Sequence, residues 1–264
     1  MTTSERREWI VRRVQTAGKV KVSELAERFS VSEVSIRSDL VLLEREGHLK
    51  RVHGGAVGKL YINMNVNERY TTNSEAKRSL AARVAEYIED DDILMMNAGT
   101  TLVYVLQELR NRKRENVRIV TNSVQNAMEA NNGGCGVTLL GGQLDSKYLF
   151  TYGQDTVTEL SGYHANKCIL SLDGISAAHQ LTLYYPNETE VIRKMMENAD
   201  KVIVAADSSK IGVNSFSKVA DLCAVDCFVT NGDADPAEVE AIRRTGVTVD
   251  TCGPINTEGF TFPE

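Results

Sequence analysis

The chain has 264 residues, 42% apolar and 25% charged, proportions that suit one large or two ordinary globular domains and exclude a disordered or fibrous chain. No apolar run approaches the roughly 18 residues that suggest a membrane span. The N-terminal MTTSERREWIVRRVQ lacks the apolar core of a signal peptide and mixes acidic with basic residues, so a cytoplasmic protein is expected. The net charge of −6 conceals an asymmetry: residues 1–60 hold 12 Lys and Arg against 8 Asp and Glu, and the remainder holds 18 against 28. A small basic end on a larger acidic body fits a DNA-binding module joined to something else. The five cysteines (Cys135, Cys168, Cys223, Cys227, Cys252) are scattered, without a CxxC or zinc-finger spacing. Reduced, mostly buried thiols are expected, with no metal site and no cofactor.

Glu5 to Thr16 places Ile10 and Val14 on one helical face, and Gly18 is expected to end that helix. In KVKVSELAERFSVSEVSIRSDL, Ser23 is read as the cap of a short helix with Leu25, Ala26 and Phe29 inward. Ser30-Val31 makes a tight turn, and Ser32 caps a longer helix carrying Ile36, Leu40 and Leu43. These are the parts of a helix-turn-helix. After Gly47 closes the second helix, HLKRVHGGAV alternates around Gly54-Gly55 and predicts a two-stranded wing. A recognition helix enters the major groove through its first turns, so Ser32, Ser35, Arg37 and Ser38 are candidate DNA contacts. Lys50, Arg51 and His53 of the wing are placed for the backbone or minor groove.

The run from Val22 to Val57 resembles the N-terminal domain of DeoR-family bacterial transcriptional regulators, with Ser38 where members usually carry a second basic residue. That resemblance implies binding to double-stranded operator DNA. A single small winged helix makes too few contacts for tight specific binding, so a homodimer or homotetramer is expected.

A polar linker over residues 59–73 separates this first domain, residues 1–58, from a second over residues 74–264. Here Ser74 is read as the cap of a helix reaching Ile88. A buried strand at 93–97 is followed by strands at 117–121, 136–140, 167–172 and 201–206, and each ends in a small, polar or glycine-containing turn. CFVTN and VTVDT flank a helix opened by Pro236. Strands alternating with helices predict a mainly parallel α/β sheet covered on both faces, with ligands outside the carboxyl ends of the strands. Backbone amides after Gly99-Thr100-Thr101, with Lys210, suit an anion such as a phosphate. Asn122, Ser123 and Asp173 offer partners for sugar hydroxyls.

The motifs NAGTT, IVTNS, LLGGQL, LDGIS, ETEVIRKMMENA and AADSSKIG, in that order, resemble the DeoR-type effector domain, a Rossmann-like fold similar to ribose-5-phosphate isomerase. The resemblance implies a phosphorylated sugar or sugar derivative as effector and repression of a carbohydrate-utilisation operon. On matching positions, Gly99, Thr100, Thr101, Asn122, Ser123, Gly142, Asp173, Gly174, Glu190, Lys194, Ser209 and Lys210 would line the pocket. Asn97 stands where members often carry Asp, and HQLTL lacks the usual Gly before Leu-Thr. Asp173 or Glu190 are available as an isomerase base. SAAHQ, however, does not resemble the acidic and lysine motifs of the isomerases, so a regulator and not an enzyme is expected. His179 falls in a predicted loop.

Overall fold

The structure, a computed structural model, describes residues 2–253 apart from 18, 47, 53, 59–63, 65 and 179. The predicted roles of Gly18, Gly47, His53 and His179, and of the Lys50 side chain, therefore lie outside what is described. The chain forms two compact units, Met1–Asn65 and Val66–Glu264.

The first unit runs α1 (Thr3–Ala17), β1 (Lys19–Lys21), α2 (Val22–Phe29), α3 (Glu33–Arg45), β2 (Leu49–Val52) and β3 (Gly55–Gly58). The predicted apolar stripes converge: Ile10 and Val14 of α1 pack with Leu25 of α2, Ile36, Leu40 and Leu43 of α3, and Leu49 of the wing. Ser30, left-handed at φ 51°, turns α2 into α3, and Ser32 caps α3 by accepting the Ser35 amide. Ser23 does not cap α2. That helix begins one residue earlier, behind Lys21, with no side-chain cap. The reason is non-local: β1 pairs antiparallel with β3, and the Val22 amide, orphaned at a helix start, donates to the Gly54 carbonyl at 2.9 Å. The wing is thus a three-stranded sheet in the order β1-β3-β2.

The second unit opens with α4 (Val66–Thr71), in the stretch read as linker, then α5 (Ser74–Val84) and β4 (Ile93–Met96). There follow α6 (Thr100–Arg112), β5 (Arg118–Thr121), α7 (Val124–Asn132), β6 (Gly136–Leu139), the hairpin β7 (Gln143–Asp145) and β8 (Phe150–Tyr152), and α8 (Gln154–Leu160). Next are β9 (Ala165–Leu170), β10 (Gly174–Ser176), β11 (Gln180–Leu183), α9 (Pro186–Glu197), β12 (Ala199–Ala205) and β13 (Ser217–Ala220). The unit closes with β14 (Cys227–Asn231), α10 (Pro236–Arg243) and β15 (Thr248–Cys252). Asn73, not Ser74, holds the N-cap of α5. It sits left-handed at φ 53° and makes no capping bond, because its amide group reaches Asp207 Oδ1 and Ser209 Oγ, each at 3.2 Å.

Seven strands pair in the order β15-β14-β12-β9-β4-β5-β6, all parallel. Alternate strand residues feed opposite cores. Leu94, Met96 and Ile169 join the face under α5 and α6, whereas Met95, Cys168 and Leu170 join the face under α9 and α10. From β4 the chain winds outward through β5 and β6, then returns to place β9 on the other side of β4. The strand order therefore reverses between β4 and β9, the point at which doubly wound sheets open a crevice. The small antiparallel sheet β10-β11-β13 and the β7-β8 hairpin were not apparent from periodicity, since strands of three or four residues are too short to register it. No helix among the described residues is long and apolar enough to cross a membrane.

Candidate DNA-binding and effector sites

On α3 the predicted contacts are exposed or half-buried, but several are already engaged. Ser32 Oγ and Ser35 Oγ lie 2.9 Å apart, within the cap. Arg37 Nη2 donates to Glu33 Oε2 at 2.6 Å across one helical turn, and Arg51 Nε donates to Glu44 Oε2 at 2.7 Å. Both are surface pairs, worth a few tenths of a kcal/mol and easily exchanged for a phosphate or a base edge. Ser38 is exposed. Val34, 72% exposed on the first turn of α3, stands among these polar groups; an apolar side chain there suits a thymine methyl. The helix is held from behind by Asp39, 1% exposed, whose two oxygens accept from Arg6 Nε and Arg7 Nε, each at 2.7 Å.

In the second unit, Asn97 stitches the switch point. Its amide donates to the Ser171 carbonyl at 3.1 Å and its oxygen accepts the Ser171 amide at 2.8 Å. Next to it, Gly99 leads into α6. A Cβ on Gly99 would stand 2.7 Å from Ser171 Cβ, so only glycine lets the two strand ends approach this closely. Thr100 and Thr101 then head a helix of 13 residues, whose first amides and dipole favour an anion.

Three cations surround this point. Lys77 Nζ, on α5, donates to Thr100 Oγ1 at 3.0 Å and to the Arg69 carbonyl at 2.5 Å. Lys210 Nζ and Arg69 Nη1 each lie 3.9 Å from Asp173 Oδ1. The Arg69 guanidinium also sits 4.6 Å from the ring centre of Tyr148, which packs against Tyr185 at 4.3 Å. Burial pulls the Lys77 ammonium down to about 8, with Asp207 opposing, and burial likewise lowers Lys210, with Asp173 opposing. Ser209 lies in the same cluster: its amide donates to Asp207 Oδ1 at 3.1 Å, and its hydroxyl donates to the same oxygen.

Across the crevice, Glu188 Oε1 accepts from the Ala98 amide at 2.9 Å and from Asn122 Nδ2 at 3.1 Å. Burial raises its carboxyl to about 7, against the pull of those two donors. Ser123 caps α7 by accepting the Asn126 amide. Asn122 Oδ1, Asn126 Oδ1 and Asp207 Oδ2 are buried acceptors without a hydrogen-bond partner, a rarity that calls for an explanation.

Gly99, Thr100, Thr101, Asn122, Asp173, Ser209 and Lys210 are thus at, or one bond from, one cluster, while four predicted residues are placed differently. Glu190 is exposed. Lys194 pairs with Glu197 at 3.3 Å in the last turn of α9. Gly142, at φ 128°, is fixed by the β7 turn, where a Cβ would meet Thr156 Oγ1 at 2.1 Å. Gly174 is buried in β10, beneath Thr182. The inward carboxylate of α9 is Glu188, because it stands three and four residues before the buried Val191 and Ile192. Arg69, Asn73, Lys77 and Glu188 were all missed from sequence.

A winged helix joined to a doubly wound α/β unit with a cationic crevice at its strand ends defines a transcriptional regulator with its own sensor. Residues 6–59 match the DeoR-like helix-turn-helix domain and residues 72–232 the DeoR C terminal sensor domain; the chain belongs to the DeoR family. Its relatives include the HTH-type transcriptional regulator YulB of Bacillus subtilis, 34% identical over 98% of this chain and 100% of that one. The putative aga operon transcriptional repressor of Escherichia coli O157:H7 is 31% identical over 94% and 93%. The glycerol-3-phosphate regulon repressor of Escherichia coli K12 is 29% identical over 96% and 100%. All are named as regulators, and this chain is a DNA-binding transcriptional regulator. Among solved structures, ribose 5-phosphate isomerase A from Neisseria gonorrhoeae superposes with a TM-score of 0.40 at 18% identity, over 53% of this chain and 54% of that one.

Proposed function

We propose that the protein represses a carbohydrate-utilisation operon in the cytoplasm, binding operator DNA as a homodimer or homotetramer under the control of a phosphorylated sugar. The observation that carries the effector reading is the gathering of Arg69, Lys77 and Lys210 about the N-terminus of α6. Three cations against Asp173 and Asp207 leave that end of the crevice positive, which suits a phosphate. The orphaned oxygens of Asn122 and Asn126 suit sugar hydroxyls, which can donate to them. At the operator, Arg37 and Ser38 read base edges, Val34 packs on a methyl group, and Arg51 holds the backbone. The effector acts only through a difference in its affinity for the DNA-bound and free arrangements.

The test is a thermal-unfolding screen against pentose, hexose and triose phosphates, followed by operator-binding titrations with each hit. A ligand at 100 times its dissociation constant adds about 2.7 kcal/mol and shifts the operator titration. A full panel that neither stabilises the protein nor moves DNA affinity would sink the sensor reading. Light scattering of the DNA-free protein decides between one protomer and the expected pair or tetramer.

A further inference from the structure

Phe216, just before β13, is 76% exposed. Single exposed apolar side chains are ordinary on a protein surface, but Phe216 belongs to a row. Antiparallel pairing sets Leu183 of β11 opposite Ser217 of β13, so the next step along both strands brings Tyr184 and Phe216 side by side, ring centres 6.5 Å apart. Tyr184 meets Tyr185 edge-on at 5.1 Å, and Tyr185 meets Tyr148 at 4.3 Å. The row runs from a buried end at Tyr148 to an open one at Phe216. Its inner part lies against the charged cluster, with the Arg69 guanidinium 5.9 Å from the Tyr185 ring centre. Asp173 joins the two, because its Oδ1 faces Arg69 and Lys210 while its Oδ2 accepts the Tyr184 amide at 3.0 Å. Three residues past Tyr185 comes Glu188, which accepts from Asn122, so one short segment carries both the rings and a group of the polar floor.

We infer that Tyr184 and Phe216 form a stacking wall for the sugar itself, and that the effector is a cyclic sugar phosphate bound with the C–H face of its ring against these two aromatics. The inference rests on the sugar-phosphate reading of the crevice and adds which sugars fit. A closed sugar ring has unlike sides: hydroxyls project around its rim, while one face gathers C–H groups. Those groups carry slight positive charge and suit the negative face of an aromatic ring. Ligand sites combine such apolar walls with a few placed polar groups, and the orphaned oxygens of Asn122 and Asn126 are available as those groups. An open-chain polyol phosphate offers the same charge and hydroxyls but no flat face, and it must give up the rotational freedom of its whole chain to lie against the wall. The wall therefore discriminates among phosphates that the charged cluster treats alike.

The experiment is titration calorimetry of the full-length protein with matched probes: the gluco, galacto and manno hexose 6-phosphates and ribose 5-phosphate, each paired with the polyol phosphate made by reducing it, and glycerol 3-phosphate. At least one ring-form phosphate should bind about tenfold more tightly than its own polyol phosphate, a difference of roughly 1.4 kcal/mol. Tyr184→Leu and Phe216→Leu should each cut that ratio by about threefold, and together bring it to about one, with polyol phosphate affinity held within about twofold. Tyr184→Phe, which keeps the ring, should keep the ratio. If Tyr184→Leu fails to fold, Phe216→Leu, at an exposed position, carries the same expectation alone. Equal affinity for ring and chain, binding of glycerol 3-phosphate alone, or variants that weaken both forms alike overturn the inference and leave the charged crevice standing as the sensor site. A Phe216→Leu chain whose ratio is unchanged but whose oligomer is smaller by light scattering also overturns it, and makes this face a subunit contact. No binding of any of these phosphates to the unaltered protein overturns both readings.

Discussion

Asp39→Ala should unfold the DNA-binding unit under conditions that leave the sensor intact. Asp39 lies on the inward side of the recognition helix, 1% exposed, with both oxygens 2.7 Å from an arginine Nε. Deleting one partner of a fully buried ion pair costs about 3–5 kcal/mol. Here the figure must be discounted, because the Arg6 and Arg7 side chains are 13% and 33% exposed, and Arg7 in particular can turn out to water. About 2–3 kcal/mol remains, most of it from Arg6. A unit of some 60 residues has only about 3–9 kcal/mol in total, so the loss is a large fraction. Trp9 is the only tryptophan in the chain, and it packs edge-on against Phe29 at 5.1 Å, half-buried against the core of this unit. Its fluorescence therefore follows this unit alone. In urea, with a slope of roughly 1 kcal/mol per molar for so small a unit, the Trp9 midpoint should fall by about 2 M. Asp39→Asn, which keeps the shape and one acceptor, should fall by about half as much. A Trp9 transition unmoved within about 0.5 kcal/mol would mean that α1 is held to α3 by apolar packing and not by this carboxylate.

Arg37→Ala should weaken operator binding by about 1–3 kcal/mol if Arg37 reads a base, or uniformly across sequences with a salt slope smaller by about one if it holds a phosphate. In either case the Trp9 transition should hardly move, since the pair with Glu33 adds only about 0.3–0.5 kcal/mol to the helix; unchanged DNA affinity in a salt titration would remove Arg37 from the interface. Glu188 carries a pH signature. Its folded pKa is raised from 4.5 to about 7, so its contribution to stability is full below about pH 4.5 and is lost as the pH rises through 7, by up to about 3 kcal/mol at 1.36 per unit. Calorimetry of Glu188→Gln against the unaltered protein between pH 5 and 8 should show the variant gaining relative stability as the pH rises, and parallel curves would refute the burial argument. Gly99→Ala should cost about 1–3 kcal/mol through its clash with Ser171, and Ser171→Gly in the same chain should recover most of that; a double variant no better than the single one would place the strain elsewhere.

What was legible in the sequence was whatever repeats locally. The α3 stripe of Ile36, Leu40 and Leu43 and the seven parallel strands follow from local pattern. Their ends converge because a doubly wound sheet puts them there. What escaped depends on partners far along the chain. Ser23 looked like a cap because nothing local reveals that Gly54, some thirty residues on, already accepts the Val22 amide. Arg69, Tyr148 and Tyr185 meet from three separate segments, and no periodicity joins them. Two misses did have a local signal. Lys77 stands in the inward stripe of α5, three before Leu80 and seven before Val84, and a lysine at a core position is information. Glu188 relates in the same way to Val191, Ile192 and Met195. The motif directed attention to its neighbour Glu190, on the outward face.

Those two misses share a physical character that bears on why the crevice has this composition. Burial disfavours the charged form of Lys77, Lys210 and Glu188 alike. Apolar residues of similar volume at such positions are often neutral or stabilising by 1–4 kcal/mol. Packing alone therefore gives no reason to gather them within one crevice, beside three orphaned acceptors. A polyanionic, hydroxyl-rich ligand supplies one, because each group then exchanges a poor environment for a matched partner, and the folding free energy forgone in the free protein reappears as affinity. On this account, substitutions that neutralise the cluster should raise thermal stability while lowering effector affinity. Lys77→Met is the sharpest instance: its melting temperature should equal or exceed that of the unaltered chain in phosphate-free buffer and fall below it in saturating phosphate. A variant less stable in both buffers would show that the lysine is there to hold α4 in place and not to await a ligand.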